Sequence, residues 1–115
     1  MTVKPVYQVG EILVLRASDG KSTNYSFLEV ASFTKSGAPR VYFLEVVAER
    51  LHCDGTSTRS RLTPQLASRR PGLPQSMRWN PKRHTFAFEP SHGYPFTELE
   101  PYDSGKVYES EWFGG

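Results

Sequence analysis

The densest apolar pattern lies between Asn24 and Glu49, where two runs of aromatic and branched side chains flank a short polar turn. The first run carries Tyr25, Phe27, Leu28, Val30 and Phe33; the second carries Val41, Tyr42, Phe43, Leu44, Val46 and Val47 with Glu45 as its one charge. Such side chains fit a pleated, half-buried surface better than a helix, where their rotamers are restricted. Between the runs, Lys35-Ser36-Gly37-Ala38-Pro39 supplies a glycine for a positive-φ position and a proline where a second strand can begin. The pattern predicts a hairpin around which the rest of the chain folds. Phe43 to Leu51 could also form two helical turns, but the flanking Pro and Gly and the β-branched content favour strand. A nearly continuous apolar run implies cover on both faces, as in a small closed or curled sheet.

Before the hairpin, residues 1–8 read as a short leader. Val9, Ile12, Val14 and Leu15 then mark a first strand, and Ala17 to Asn24 is turn chemistry with Asp19-Gly20 and a hydroxyl cluster. After Glu49 the pattern dissolves. Residues 51–76 hold Pro64, Pro71-Gly72, Pro74, many hydroxyls and four arginines, a composition poor in surface to bury, and they predict a long basic loop. Trp79 is expected to anchor the chain's return to the core. The cleanest alternation follows, with Phe86 and Phe88 on one side and Thr85, Ala87 and Glu89 on the other. Pro90-Ser91-His92-Gly93 ends it. The tail, 94–115, spaces Tyr94, Phe96, Leu99, Tyr102, Val107, Tyr108, Trp112 and Phe113 among Pro, Gly and acids, which predicts an aromatic-acidic wrap of short strands.

With 115 residues the chain forms a single domain over 1–115, able to bury roughly two thirds of its unfolded surface without metal or disulfide. The fold class expected is all-β: a small curled antiparallel barrel or sandwich with a long Arg/Pro loop. Cys53 is the only cysteine, so no internal disulfide can form and a reducing interior is the expected compartment. No apolar run approaches the ~20 residues of a membrane helix, and Met1-Thr-Val-Lys-Pro has no signal-peptide core. The expected setting is intracellular, in host cytoplasm or nucleus, or within a virion, with no membrane partner.

The net charge of +2 conceals an uneven layout. Residues 1–49 balance; 50–84 carry Arg50, Arg59, Arg61, Arg69, Arg70, Arg78, Lys82 and Arg83 against Asp54; 85–115 carry Lys106 against Glu89, Glu98, Glu100, Asp103, Glu109 and Glu111. Such asymmetry points to an electrostatic partner. Arginine grips phosphate through a planar fork, and an interleaved Trp79 can stack on bases, so Arg59, Arg61, Arg69, Arg70, Arg78, Trp79, Lys82 and Arg83 are the candidate partner or nucleic-acid-binding residues. The competing reading pairs these arginines with the acidic tail, within the chain or on a neighbouring subunit.

Other chemistry is weakly supported. His52 and Cys53 are sequence neighbours, a poor basis for a nucleophile and its base, which must meet in space. His52, His84, His92 and Cys53 are too scattered for a closed zinc site. No phosphate-binding glycine loop is present. No catalytic residue, metal ligand or cofactor is therefore assigned.

Gly10-Glu-Ile-Leu-Val, Thr23-Asn24-Tyr-Ser-Phe-Leu-Glu-Val, Phe33-Thr-Lys-Ser-Gly, His92-Gly-Tyr-Pro-Phe and Val107-Tyr-Glu-Ser-Glu-Trp112 together resemble a group of small β proteins encoded by phages and other viruses. The likeness covers about half the chain. The opening is also similar to SH3-like and KOW-type barrels. The resemblance implies a non-enzymatic viral protein acting by protein–protein assembly, as a capsid-associated or accessory component with other viral, host or identical subunits as partners. A nucleic-acid-binding accessory protein is the first alternative, and an inhibitor of a host defence enzyme is the second. Residues 51–76 exceed the usual connection in that group, which makes them the stretch where this chain is expected to do something of its own.

Overall fold

The computed structural model describes residues 4–88 and 96–113, with the side chains of Phe96 and Phe113 left aside. Among the described residues the fold is all-β and holds no helix, hence none long and apolar enough to cross a membrane. Strands β1 (Ile12–Ser18), β2 (Thr23–Phe33) and β3 (Pro39–Cys53) run antiparallel in sequence order. They continue into β4 (Ser57–Arg69), which pairs with β3, and β9 (Tyr108–Phe113), which pairs with β4. Because β9 also meets β2 at Thr23↔Glu111, strands β2, β3, β4 and β9 close into a small four-stranded barrel. To this barrel β1 adds on β2, and β8 (Phe96–Pro101) adds on β1. The short β5 (Gln75–Ser76) lies against the start of β3, and β6 (Arg78–Asn80) and β7 (Thr85–Ala87) form a separate two-stranded hairpin.

The central hairpin forms where the apolar pattern places it. Gly37 has φ of 87°, the conformation that favours glycine, and its N–H donates to the Thr34 carbonyl at 3.0 Å. The Thr34 hydroxyl accepts from the Ala38 amide at 3.1 Å, so the turn satisfies its own donors before Pro39 opens β3. A register shift between Val30 and Ser32 bends β2 beside this turn.

Side chains alternate between two apolar clusters because successive strand residues point to opposite faces. One face of β1–β3 contributes Leu13, Leu15, Leu28, Val30, Val41 and Phe43, and it is covered by Tyr7, Met77 and the β6–β7 hairpin through Trp79 and Phe86. The other face contributes Val14, Phe27 and Leu44, which meet Tyr108, Leu62, Tyr25 and Tyr102 in the barrel interior. Tyr108 sits edge-on to Phe27 at 5.4 Å and Tyr25 at 5.3 Å, and its hydroxyl oxygen accepts from the Asp103 amide. Within the stretch expected as a leader, of which residues 4–8 are described, Tyr7 packs on Phe86, and burial together with the Glu11 carboxylate pushes its phenol pKa up.

The long basic loop expected over 51–76 requires correction. Its first part finishes β3, and Ser57–Arg69 is a strand in register with β3 and β9. The reversal at Asp54-Gly55-Thr56 is a hydroxyl-rich turn in which Asp54 Oδ1 accepts from the Thr56 amide and hydroxyl and from the Ser57 amide, with Gly55 at φ 87°. Only residues 70–74 are irregular between β4 and β5. Of the stretch 94–115 expected as a wrap, the described residues hold β8 and β9, and β9 is itself a barrel strand; Glu89, the Pro90–Gly93 break and Tyr94 fall outside the described residues.

A charged wing on the barrel

From Val47 onward, β3 runs past the cover that the β6–β7 hairpin provides, and Val47, Ala48, Glu49, Arg50, His52 and Cys53 are all exposed. Together with Ser57–Leu62 of β4 and with β9 they make a three-stranded wing. Direct pairing puts opposite residues on one face, so Glu49, Arg61 and Glu109 form one row and His52, Arg59 and Glu111 the next. The Arg61 Nη1 lies 3.6 Å from Glu49 Oε2, and Arg59 Nε lies 3.7 Å from Glu109 Oε2. On this face the middle strand is basic: Arg61 lies between Glu49 and Glu109, and Arg59 between His52 and Glu111.

The remaining candidate cations do not join these two. Arg69 sits where β4 returns to the barrel: its Nε donates to Glu29 Oε1 at 2.6 Å, and its guanidinium lies 4.4 Å over the Tyr42 ring. The hydrogen bond to Glu29 raises its pKa. Arg70 is exposed beside a shallow cavity of about 240 Å³ that also involves Tyr42, Pro71 and Leu73. Arg78 and Trp79 belong to β6, while Lys82 and Arg83 occupy the turn after it, where Asn80 Oδ1 accepts both of their amides. The eight candidates thus divide among the wing, the end of β4 and the β6–β7 hairpin. Trp79 is committed to packing, edge-on to Phe86 at 5.1 Å with Lys4 Nζ 5.7 Å from its ring. It is no open platform for a base.

His52 and Cys53 project from opposite faces of β3, as adjacent strand residues must. The His52 Nε2 meets Asp54 Oδ2 at 3.1 Å, and the Cys53 sulfur accepts from the Thr58 hydroxyl at 3.7 Å. That hydroxyl, with the Gly55 amide, lowers the thiol pKa, but His52 is not placed to serve it. Among the described residues, no three of His, Cys, Asp and Glu gather as a metal site; His92 lies outside them.

Sequence reasoning missed Glu29 and Glu49 as partners of the arginines, whereas the Arg59–Glu109 contact is of the kind the competing reading, arginines against the acidic tail, expected. It also missed that the distal half of β3 is an edge. The overlooked signal is Asp54-Gly55, a hairpin-turn dipeptide between two runs able to form strands. Comparison of the chain with family models, with curated proteins and with solved structures found no match.

Proposed function

We propose that this chain is a non-enzymatic protein that acts by assembly with other protein subunits, the role expected of a small capsid-associated or accessory viral component, and that the wing is its contact surface. The observation that carries this reading is the charge ladder. A phosphate-binding face needs cations in excess, because affinity comes from counterion release. On the wing, Arg61 instead lies between Glu49 of β3 and Glu109 of β9, and Arg59 is met on β9 by Glu109 and Glu111. Exposed Val47 and Trp112 on the wing, with exposed Leu66 farther along β4, add apolar contact area of the kind that protein interfaces use.

The test is a photo-crosslinking residue placed at Leu66 or at Trp112 in the full chain, expressed in its native setting. The expected product is a covalent adduct with protein. Adducts with nucleic acid, together with oligonucleotide binding that weakens steeply between two salt concentrations, would overturn the reading.

A further inference from the structure

Pairing within β3 shows which of its backbone groups are available. From Val46 to Arg50 the strand keeps one register with Pro64 to Ser60 of β4. Pro64 has no N–H, so Val46↔Pro64 cannot be a pair that exchanges two hydrogen bonds. By alternation Val47 and Glu49 bond β4, whereas Val46, Ala48 and Arg50 turn N–H and C=O to the other side. There β2 pairs with β3 only as far as Leu28↔Phe43 before leaving to meet β9. Among the described residues, no strand lies along that side of β3 beyond Phe43. Ala48 and Arg50 therefore present an open edge, which is a template for strand addition.

The side chains next to this edge set what can be added. Glu49 is 65 % exposed in its side chain and begins the row that continues with Arg61 and Glu109, so signs alternate from the edge inward. Val47 and Glu45 follow on the same face, two and four residues back. We infer that this edge captures an extended segment of a partner protein as an added strand, and that the segment carries Lys or Arg at two positions four residues apart with an apolar residue midway. Each cation then faces Glu49 or Glu45, and the apolar residue faces Val47. A second copy of the chain fits less well, because two-fold antiparallel pairing of this edge short of the register shift after Arg50 places Glu45, Val47 or Glu49 opposite Glu49, none of them cationic. The inference rests on the assembly reading and names the chemistry of its partner.

The probes are the fluorescein-labelled peptide Thr-Lys-Thr-Val-Thr-Lys-Thr and its counterpart with Glu in place of Lys, titrated into the full chain at low salt. The Lys peptide is expected to bind about tenfold more tightly, in line with two opposite-charge cross-strand pairs, and to slow amide exchange at Ala48 and Arg50. Ala48→Pro removes an outward N–H without removing a bond to β4, and binding should be lost at unchanged melting temperature. Glu49→Lys should shift the preference toward the Glu peptide, which keeps the test decisive if the proline variant misfolds. Equal binding of the two peptides, no protection of Ala48 and Arg50 at millimolar peptide, or an unchanged preference in Glu49→Lys would each overturn the inference. None of these outcomes bears on protein adducts formed from Leu66 or Trp112, so this inference and the assembly reading can fail separately.

Discussion

The same face of β3 serves two different purposes along its length. Near Pro39 it presents Val41 and Phe43 to Met77 and Phe88, under cover. Beyond Phe43 the face continues through half-buried Glu45 to Val47 and Glu49, which are exposed. The barrel body is held by apolar burial, and the wing by its backbone ladder and a lattice of exposed opposite charges. Burying a Leu or Phe side chain contributes about 1.5–3 kcal/mol, whereas an exposed ion pair contributes about 0–1 kcal/mol. The body can therefore stay folded while the wing is altered, which suits the wing to carry contacts.

The largest effect that would test this contrast is expected in the body. Phe27 is 1 % exposed and touches Tyr102 and Tyr108 inside the barrel. Phe27→Ala should destabilise by about 3–5 kcal/mol in urea unfolding, while Val47→Ala on the wing should change stability by less than about 0.5 kcal/mol. Equal losses would mean that the wing is packed as tightly as the barrel.

Tyr108 joins the two regions, since β9 carries the wing's third strand while this ring fills the barrel. Tyr108→Phe keeps the ring and removes the acceptor for the Asp103 amide. The expected cost is about 0.5–1.5 kcal/mol, read by denaturant midpoint. No loss would show that the loop from Tyr102 to Val107 closes the barrel without that bond.

On the wing itself, a double-mutant cycle of Arg61→Ala and Glu49→Ala should give a coupling of about 0.2–1 kcal/mol that shrinks as salt is raised. A coupling above that range, insensitive to salt, would mean that the pair is far less solvated than its exposure indicates.

The same contrast explains how much could be read from the residues. Buried strands announce themselves: the runs around Gly37 and the Phe86 alternation are where the structure has strands, though β7 is only Thr85–Ala87. β4 carries a weaker signal, because one of its faces is exposed and the other offers only Leu62 and Pro64 among polar side chains. Ser57 to Arg69 reads as loop for that reason and because Pro64 cannot donate to a ladder. The proline is accommodated because it falls opposite Val46 with its nitrogen turned from β3, just beyond the last β4–β9 pair at Leu62↔Tyr108. The charge asymmetry was visible in the sequence, but its meaning depended on register. A shift of one residue would have moved Arg59 and Arg61 to the Leu62 face and left the acids without partners.

The smallest effect concerns the wing's tip. Hydrogen bonds from the Thr56 hydroxyl and amide, the Ser57 amide and His52 hold the Asp54 carboxyl far below its ordinary value of 3.8. A carboxyl held low in the folded chain contributes its full stabilisation above the unfolded value, and that contribution is lost as pH falls from there through the folded value. The Asp54 contribution should thus be fully present at neutral pH and be lost as pH falls below about 4. Asp54→Ala should reproduce the acid effect at neutral pH: amide protection at Thr56 and Ser57 falls, while the melting temperature of the barrel stays where it was. Asp54→Asn, which keeps one acceptor oxygen, should lie between the two. If Asp54→Ala instead lowered the global melting temperature by several degrees, the tip and the barrel would be one cooperative unit, and the distinction between body and wing would fail at the place where it is expected to be sharpest.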